Sequence, residues 1–346
     1  MMKVKLLFLI MCALSSINVQ AAKDDSLPIV AFWFNGGWGH YDPQAIAYLD
    51  EVIIFAVAPQ PKTGEINIVS VDQQTGNVNY RRKSGIGLTT EMINTLVTDA
   101  KKHKVKTTLG INAMGKKEVN FNQLVRNNKH TEFAKNIRDL CLKHGISGVD
   151  VDYEHPANDE DVALLAKLFT ALNNELKPEG ITVSGAFGVK RKFSRKFLEM
   201  HHGLLDQINI MNYTNSTEQF KTGLSALVND HKVPKEKIYG GFGFYAKEIN
   251  KREGKERASV DYRDLINTVT VTGKEEVFKM PAADDPNYTM TLKYNNSDKS
   301  VAEKFEFLKA NGYGGAMIWA LNHDVPVSDP RSRIRFFRNL AGKRIL

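Results

Sequence analysis

The sequence predicts an α/β protein, and within that class a closed (β/α)8 TIM barrel. Three observations predict it. Short apolar runs rich in β-branched residues alternate with amphipathic helical stretches along most of the chain. Eight such runs occur. They are nearly continuous in apolar character, as strands covered on both faces must be. Strand–helix alternation implies a parallel sheet, and eight units favour a barrel over an open, doubly wound sheet. No Gly-x-Gly-x-x-Gly turn follows the first run, which weighs against a dinucleotide-binding sheet.

The expected strands are Ile29–Phe34, Glu51–Ala58, Lys106–Ala113, Gly148–Glu154, Ile181–Phe187, Leu205–Tyr213, Ile238–Tyr245 and Gly314–Ala320. Between them lie helix candidates Thr90–His103, Thr131–His144, Asp159–Lys177, Glu218–His231 and Val301–Ala310. Thr89, Asn158 and Ser194 are candidate caps for helix starts, and Pro178, Gly180 and Gly312 are stop signals. The interval between the seventh and eighth strands is long. Its segments Val269–Val271, Glu276–Met280 and Thr289–Tyr294 read as a small α+β insertion over 247–300. Such an insertion is expected on the C-terminal face, where strand-to-helix loops emerge.

The first residues read as a leader. Lys3 and Lys5 are followed by an apolar run, Leu6 to Leu14, too short to span a bilayer, and then by Val19-Gln20-Ala21. The reading is a signal peptide over 1–21 and a barrel domain over 22–346, with a secreted or periplasmic protein as the expected product. Met11 before Cys12 is large where a lipidation site wants a small residue. Cys141 is then the one cysteine left, so no internal disulfide forms, and its apolar neighbours mark it as a buried, inert thiol. Net charge is +8, with clusters at Arg191, Lys192, Arg195, Lys196 and at Lys251, Arg252, Lys255, Arg257. No nucleic-acid motif accompanies them, and a solvated basic surface is the plainer reading.

The informative segment runs from Gly145 to Pro156. Asp150, Asp152 and Glu154 alternate with Val151 and Tyr153, so in a strand the three carboxyls share one face, about 6.6 Å apart. In a barrel that face is the interior, with Glu154 at the open C-terminal end. Three acids side by side are costly to bury unless protons, partners or a metal relieve them. Like charges in one cleft raise at least one pKa, which suits a general acid. A hard-cation site and a purely structural cluster compete with acid–base catalysis, but the bulky spacers are unlike a cation loop. No metal site is expected from the histidines, since His201 and His202 are adjacent and share no helix face.

This segment resembles the glycoside hydrolase family 18 signature, Asp-Gly-x-Asp-x-Asp-x-Glu. Asp206–Tyr213 is similar to the family's sixth strand, Lys237–Tyr245 to its seventh, and Gly314–Trp319 to its eighth. The resemblance implies substrate-assisted retaining hydrolysis of β-1,4-linked N-acetylglucosamine polymers such as chitin, without a cofactor. It implies Glu154 as acid, Asp152 as the group orienting the acetamido N–H, and Asp150 behind it sharing a proton. It also implies Tyr213 as a donor to the acetamido group, Trp319 as a platform under the sugar and Met211 beside the acetamido methyl. Tyr245, Trp38 and Phe34 are candidates for further sugar contacts, and Trp33 is balanced between a subsite and packing.

The chain departs from the family pattern at Ser147, Tyr153, Thr214 and Gly110, where Asp, Trp, an acid and Ser are usual. These leave Asp152 and Glu154 in place and thin out their support. Cleavage of N-glycan cores or peptidoglycan, and a lectin that binds chitin without cutting it, are the alternative functions. A monomer is expected, with a glycan as its partner, no nucleic acid and no stable membrane insertion.

Overall fold

The computed structural model describes residues 26–80, 87–112, 117–250, 252–270 and 276–342. The expected leader, Cys12 and Ala113 lie outside them. Eight parallel strands close into a barrel in sequential order: Ile29–Phe34, Glu51–Val57, Lys106–Asn112, Gly148–Asp152, Thr182–Phe187, Gln207–Ile210, Ile238–Gly243 and Gly315–Trp319. The first strand pairs with both the second and the eighth, with Val30 opposite Glu51 and Ile29 opposite Ala316, and this closes the ring.

Strand alternation divides the apolar side chains into two separate sets. Val30, Phe32, Ile53, Phe55, Ala186 and Met317 pack together inside the barrel. Their odd-numbered or even-numbered neighbours, such as Ile29, Ala31, Val52, Ile54, Val149 and Val151, join the larger core between barrel and helices. Trp33 belongs to that outer core and is 1% exposed, so it is a packing residue.

The helices start and stop for local reasons. Asn158 accepts the Asp161 N–H at 2.9 Å and caps Asp159–Leu176, whose first turn carries Asp159, Glu160 and Asp161 against the helix dipole. Ser216 and Gln219 form a reciprocal capping box on Thr217–Asn229. Gly145 ends His130–His144 with φ 68°, a conformation that favours glycine. Helix Lys192–His201 differs from expectation: Arg191 stands at its cap, and Ser194 lies buried within its first turn. Cys141 is buried in the outer core, and burial pushes its thiol up to about 12.

Three strands end two or three residues earlier than their apolar pattern suggests. The fourth stops at Asp152, the sixth at Ile210 and the seventh at Gly243, where ladder partners run out. Glu154, Tyr213 and Tyr245 therefore stand just beyond the barrel rim. Tyr245 opens a second sheet of four antiparallel strands, Tyr245–Glu248, Ser259–Asp261, Val277–Ala282 and Asp285–Lys293, joined by helix Tyr262–Thr268. Val269, expected in a strand, is the cap residue after that helix, because the helix holds the chain until Thr268. A further small sheet of Ile68–Val71, Val78–Tyr80 and Leu88–Thr89 follows the second barrel strand. Its first strand is exposed throughout and has no amphipathic signature to reveal it. Among the described residues no helix is long and apolar enough to cross a membrane.

The seventh strand is locked to the helix layer by Phe242, whose ring lies 5.3 Å from Phe220, 5.3 Å from Phe305 and 5.0 Å from Phe337. Phe242→Ala is expected to cost about 3–5 kcal/mol of unfolding free energy, measured by chemical denaturation.

Candidate active site

The site grows from the fourth strand outward. Asp150 and Asp152 point into the barrel while Val149, Val151 and Tyr153 join the outer core. Tyr153 donates its hydroxyl to Asn122 at 2.9 Å and packs on Phe121, so the ring that stands in place of the family's Trp fixes the outer side of this strand.

Asp150 is fully buried. One of its oxygens accepts from Ser184 Oγ and from Asn209 Nδ2, each at 2.7 Å. Burial pushes its pKa up to about 6 despite these donors, and the charge of Glu51 below adds to the rise. Glu51 accepts from Thr108 Oγ1 at 2.5 Å and from Lys106 at 3.2 Å, so the floor of the barrel is polar and internally paired. One turn of the pleat higher, Asp152 accepts from Asn112 Nδ2 at 2.5 Å. Ser184, Asn209 and Asn112 were not among the residues expected in the site. Their signal is the period of two: Asn209 shares a strand face with Met211, and Asn112 ends its strand opposite Asp152.

Above these carboxyls a cavity of about 670 Å³ opens at the C-terminal end of the barrel. Asp152, Glu154, Met211, Tyr213, Tyr245 and Trp319 all line it, drawn from the ends of the fourth, sixth, seventh and eighth strands. The size is ordinary for a small-molecule site. Burial holds the Tyr213 hydroxyl well above the usual phenol range, and Tyr245, Asp152 and Glu154 nearby add to this, so it stays a proton-bearing donor. Burial does the same for Tyr245, with Glu154 adding to it.

Trp319 is steadied by three rings, Phe55 at 5.2 Å, Phe32 at 5.4 Å and Phe34 at 5.9 Å. Phe34 packs on Trp319 and is not among the residues lining this cavity. Its backbone is clasped by Asn322, which accepts the Phe34 N–H and donates to its carbonyl, both at 3.0 Å. Trp38 is not brought to the cavity. A 3-10 turn over Asn35–His40 folds it back, stacked on Tyr41 at 5.1 Å and edge-on to Trp33 at 5.3 Å. Cis peptide bonds join Glu154 to His155, Trp319 to Ala320 and Phe55 to Ala56, all at the same end of the barrel.

The loop carrying Tyr213 is held from the other side. Asn296 donates to the carbonyls of Gly243 at 2.9 Å and Tyr213 at 3.3 Å, and Asn295 donates to that of Thr214 at 2.5 Å. Buried Lys304 donates to the Asn215 and Asn295 carbonyls and to Asn296 Oδ1. Gly241 allows the close approach beneath, since a Cβ there would stand 2.2 Å from the Ile210 carbonyl and 3.1 Å from the Tyr213 ring. Among the described residues no group of three or more His, Cys, Asp or Glu side chains is placed to hold a metal ion.

A parallel eight-stranded barrel with carboxyls on the fourth strand and an aromatic-walled cavity at its C-terminal mouth is the architecture of a barrel enzyme, with its site where such sites lie. Residues 29–324 match the model of glycosyl hydrolases family 18, and the chain belongs to that family. Among curated relatives, endochitinase 1 of Metarhizium robertsii is 24% identical over 56% of this chain and 56% of its own length. The endochitinase of Brugia malayi is 23% identical over 59% of this chain and 50% of its own. This chain thus spans about half the length of the curated relatives it matches. The fold is similar to that of a family 18 chitinase from Flavobacterium johnsoniae, with a TM-score of 0.68 and 17% identity over 91% of this chain and 94% of that one. It is also similar to a chitinase-like agglutinin from Robinia pseudoacacia, with a TM-score of 0.65 and 15% identity over 90% and 99% of the two chains.

The raised pKa of Asp150 has a consequence for stability. The barrel holds its proton up to about pH 6, whereas an unfolded chain releases it near 3.8. The contribution is therefore complete below the unfolded value and is lost as pH rises through the folded one, by about 3 kcal/mol. Asp150→Asn is expected to flatten that part of the stability–pH curve, measured by urea unfolding between pH 3.5 and about 7. An unchanged slope in the variant would show that Asp150 is not the group responsible.

Proposed function

We propose that this protein is a glycosidase that hydrolyses β-1,4-linked N-acetylglucosamine polymers with retention of configuration, by substrate-assisted catalysis. The observation that carries the reading is convergence. Glu154, Asp152, Tyr213 and Trp319 open on one cavity, with a proton-holding carboxyl, Asp150, buried beneath.

The chemistry follows from what each group can donate or accept. The sugar stacks on Trp319, whose ring offers a broad apolar face. Its own acetamido oxygen attacks the anomeric carbon as Glu154 delivers a proton to the departing glycosidic oxygen. Asp152 accepts the acetamido N–H and steadies the cyclic cation that forms. Tyr213, still carrying its proton, donates to the acetamido oxygen's side. Water then adds to the anomeric carbon from the face the leaving sugar vacated. Its proton returns to Glu154, and the acetamido group is released unchanged. Asp150 supplies a proton that Asp152 can share, which lets two neighbouring carboxyls coexist inside one closed barrel. The leader expected at residues 1–21 would carry the protein to the periplasm or beyond, where such polymers are met.

Glu154→Gln keeps the shape and removes the exchangeable proton. Turnover of fluorogenic chitobiose and chitotriose conjugates is expected to fall by at least about a thousandfold, while oligosaccharide binding by calorimetry persists. Retained turnover in the variant would remove Glu154 from the role. A silent wild type that still binds these sugars would make the protein a lectin.

A further inference from the structure

Two cations on the cavity wall have no part in that chemistry. Lys190 and Arg191 line the same cavity as Glu154 and are exposed. Among the described residues neither side chain has an ion-pair partner, whereas neighbouring Lys196 is held by Asp159 at 2.8 Å and Arg195 donates to the Val189 carbonyl at 3.0 Å.

Their setting concentrates positive potential. They directly precede helix Lys192–His201, whose N-terminus is itself the positive end of a dipole. The helices Thr90–Lys102, Asp159–Leu176 and Thr217–Asn229 meet that dipole with acids, Glu91, Asp159 and Glu218 among them. Lys192–His201 has no acid in its first turn, and Lys190, Arg191 and Lys192 stand there instead. Like charge on like charge is unfavourable by itself and is relieved when an anion comes to the spot.

Gly188 lets the Arg191 stem pack beside the residue that follows the acid. A Cβ there would stand 3.1 Å from Arg191 Cγ and 2.9 Å from His155 Cε1, so the missing side chain leaves room for both to cover one backbone position. His155 directly follows Glu154. The cleft also continues past Lys190. Val189, Lys190 and Asn215 line both the main cavity and an adjoining groove of about 390 Å³, the route open to a polymer that leaves the cavity on this side.

Building on the glycosidase reading above, we propose that the cleft takes an anionic N-acetylhexosamine polymer, with a carboxylate beside the scissile linkage that Lys190 and Arg191 bind. A neutral polymer offers these cations only hydroxyl and amide oxygens, whereas a carboxylate also meets their charge and suits the planar fork of an arginine. The pair is exposed, so its effect is moderate and screened by salt.

The test compares kcat/KM on three substrates: neutral chitotetraose, chitotetraose oxidised to carboxylates at C6, and bacterial wall glycan strands whose alternate sugars bear a lactyl carboxylate. At low salt a carboxylated substrate is expected to be favoured by about tenfold, and the preference should shrink at about 0.5 M salt. Changing Lys190→Glu and Arg191→Glu together should reverse the ratio, and Arg191→Lys should keep its sign. Preference for either carboxylated glycan supports the proposal, and which one is preferred identifies where the carboxylate sits. Cleavage of neutral chitotetraose at least as efficient, or a ratio unmoved by charge reversal, overturns the proposal and leaves the glycosidase reading intact. No cleavage of any of the three by the wild type would strike that reading itself, and this one with it.

Discussion

Asp150 lies inside a closed ring of strands with no exposure to water, its carboxyl held by Ser184 and Asn209. A lone carboxylate in such a place would cost more than a small barrel core can offset. Two devices make it tolerable. Donors from the two following strands meet one oxygen, and burial keeps a proton on the group to near pH 6. Both depend on register: Asp150 pairs opposite Ser184, and Ser184 opposite Gln207, two residues before Asn209 on the same face. Were one strand to slip by a residue, its inward and outward sets would exchange and the carboxyl would face the helix layer.

On that floor the mouth of the barrel is assembled from residues just past the strand ends. Glu154, Tyr213 and Tyr245 have left the ladder, so their positions are set by packing and by loop hydrogen bonds instead of by pleat geometry. The anchoring comes from far along the chain. Asn295, Asn296 and Lys304 hold the backbone of Tyr213 to Asn215 through carbonyl contacts, and Asn322 clasps Phe34, whose ring packs on Trp319. Buried amides and one buried ammonium give this rim a rigidity that the short loops alone lack. The second sheet begins at Tyr245, among the described residues the one part of it that lines the cavity.

The two signs of charge around the cavity have separate origins. Asp150 and Asp152 come from a strand, where spacing by two aligns them on one face, and Glu154 comes from the loop just past its end. The cations come from a loop and a helix start, where the dipole adds to them. Asp150 and Asp152 are buried, with burial raising the proton affinity of Asp150, and Glu154 stands half-buried at the mouth, so this set suits bond breaking. The cations are exposed and screened, so they suit recognition of a polymer that diffuses in.

Much of this was legible in the residues alone. The eight apolar runs and their alternation determined the barrel, because period and length respond to burial on two faces whatever the partner. The spacing of Asp150, Asp152 and Glu154 determined that acids would share one strand direction, and motif resemblance added Tyr213, Met211 and Trp319. What only the tertiary structure decided concerns contacts between distant segments. Trp38 turned away onto Tyr41, and Phe34 packed on Trp319, since a 3-10 turn and the Asn322 clasp govern them and neither has a local signal. Asn209 and Ser184 became the donors to Asp150 through barrel register, a property of strand pairing that no single segment encodes. Lys190 and Arg191 joined Glu154 at one cavity because a closed ring brings successive strand ends to a common mouth, and sequence distance does not measure that.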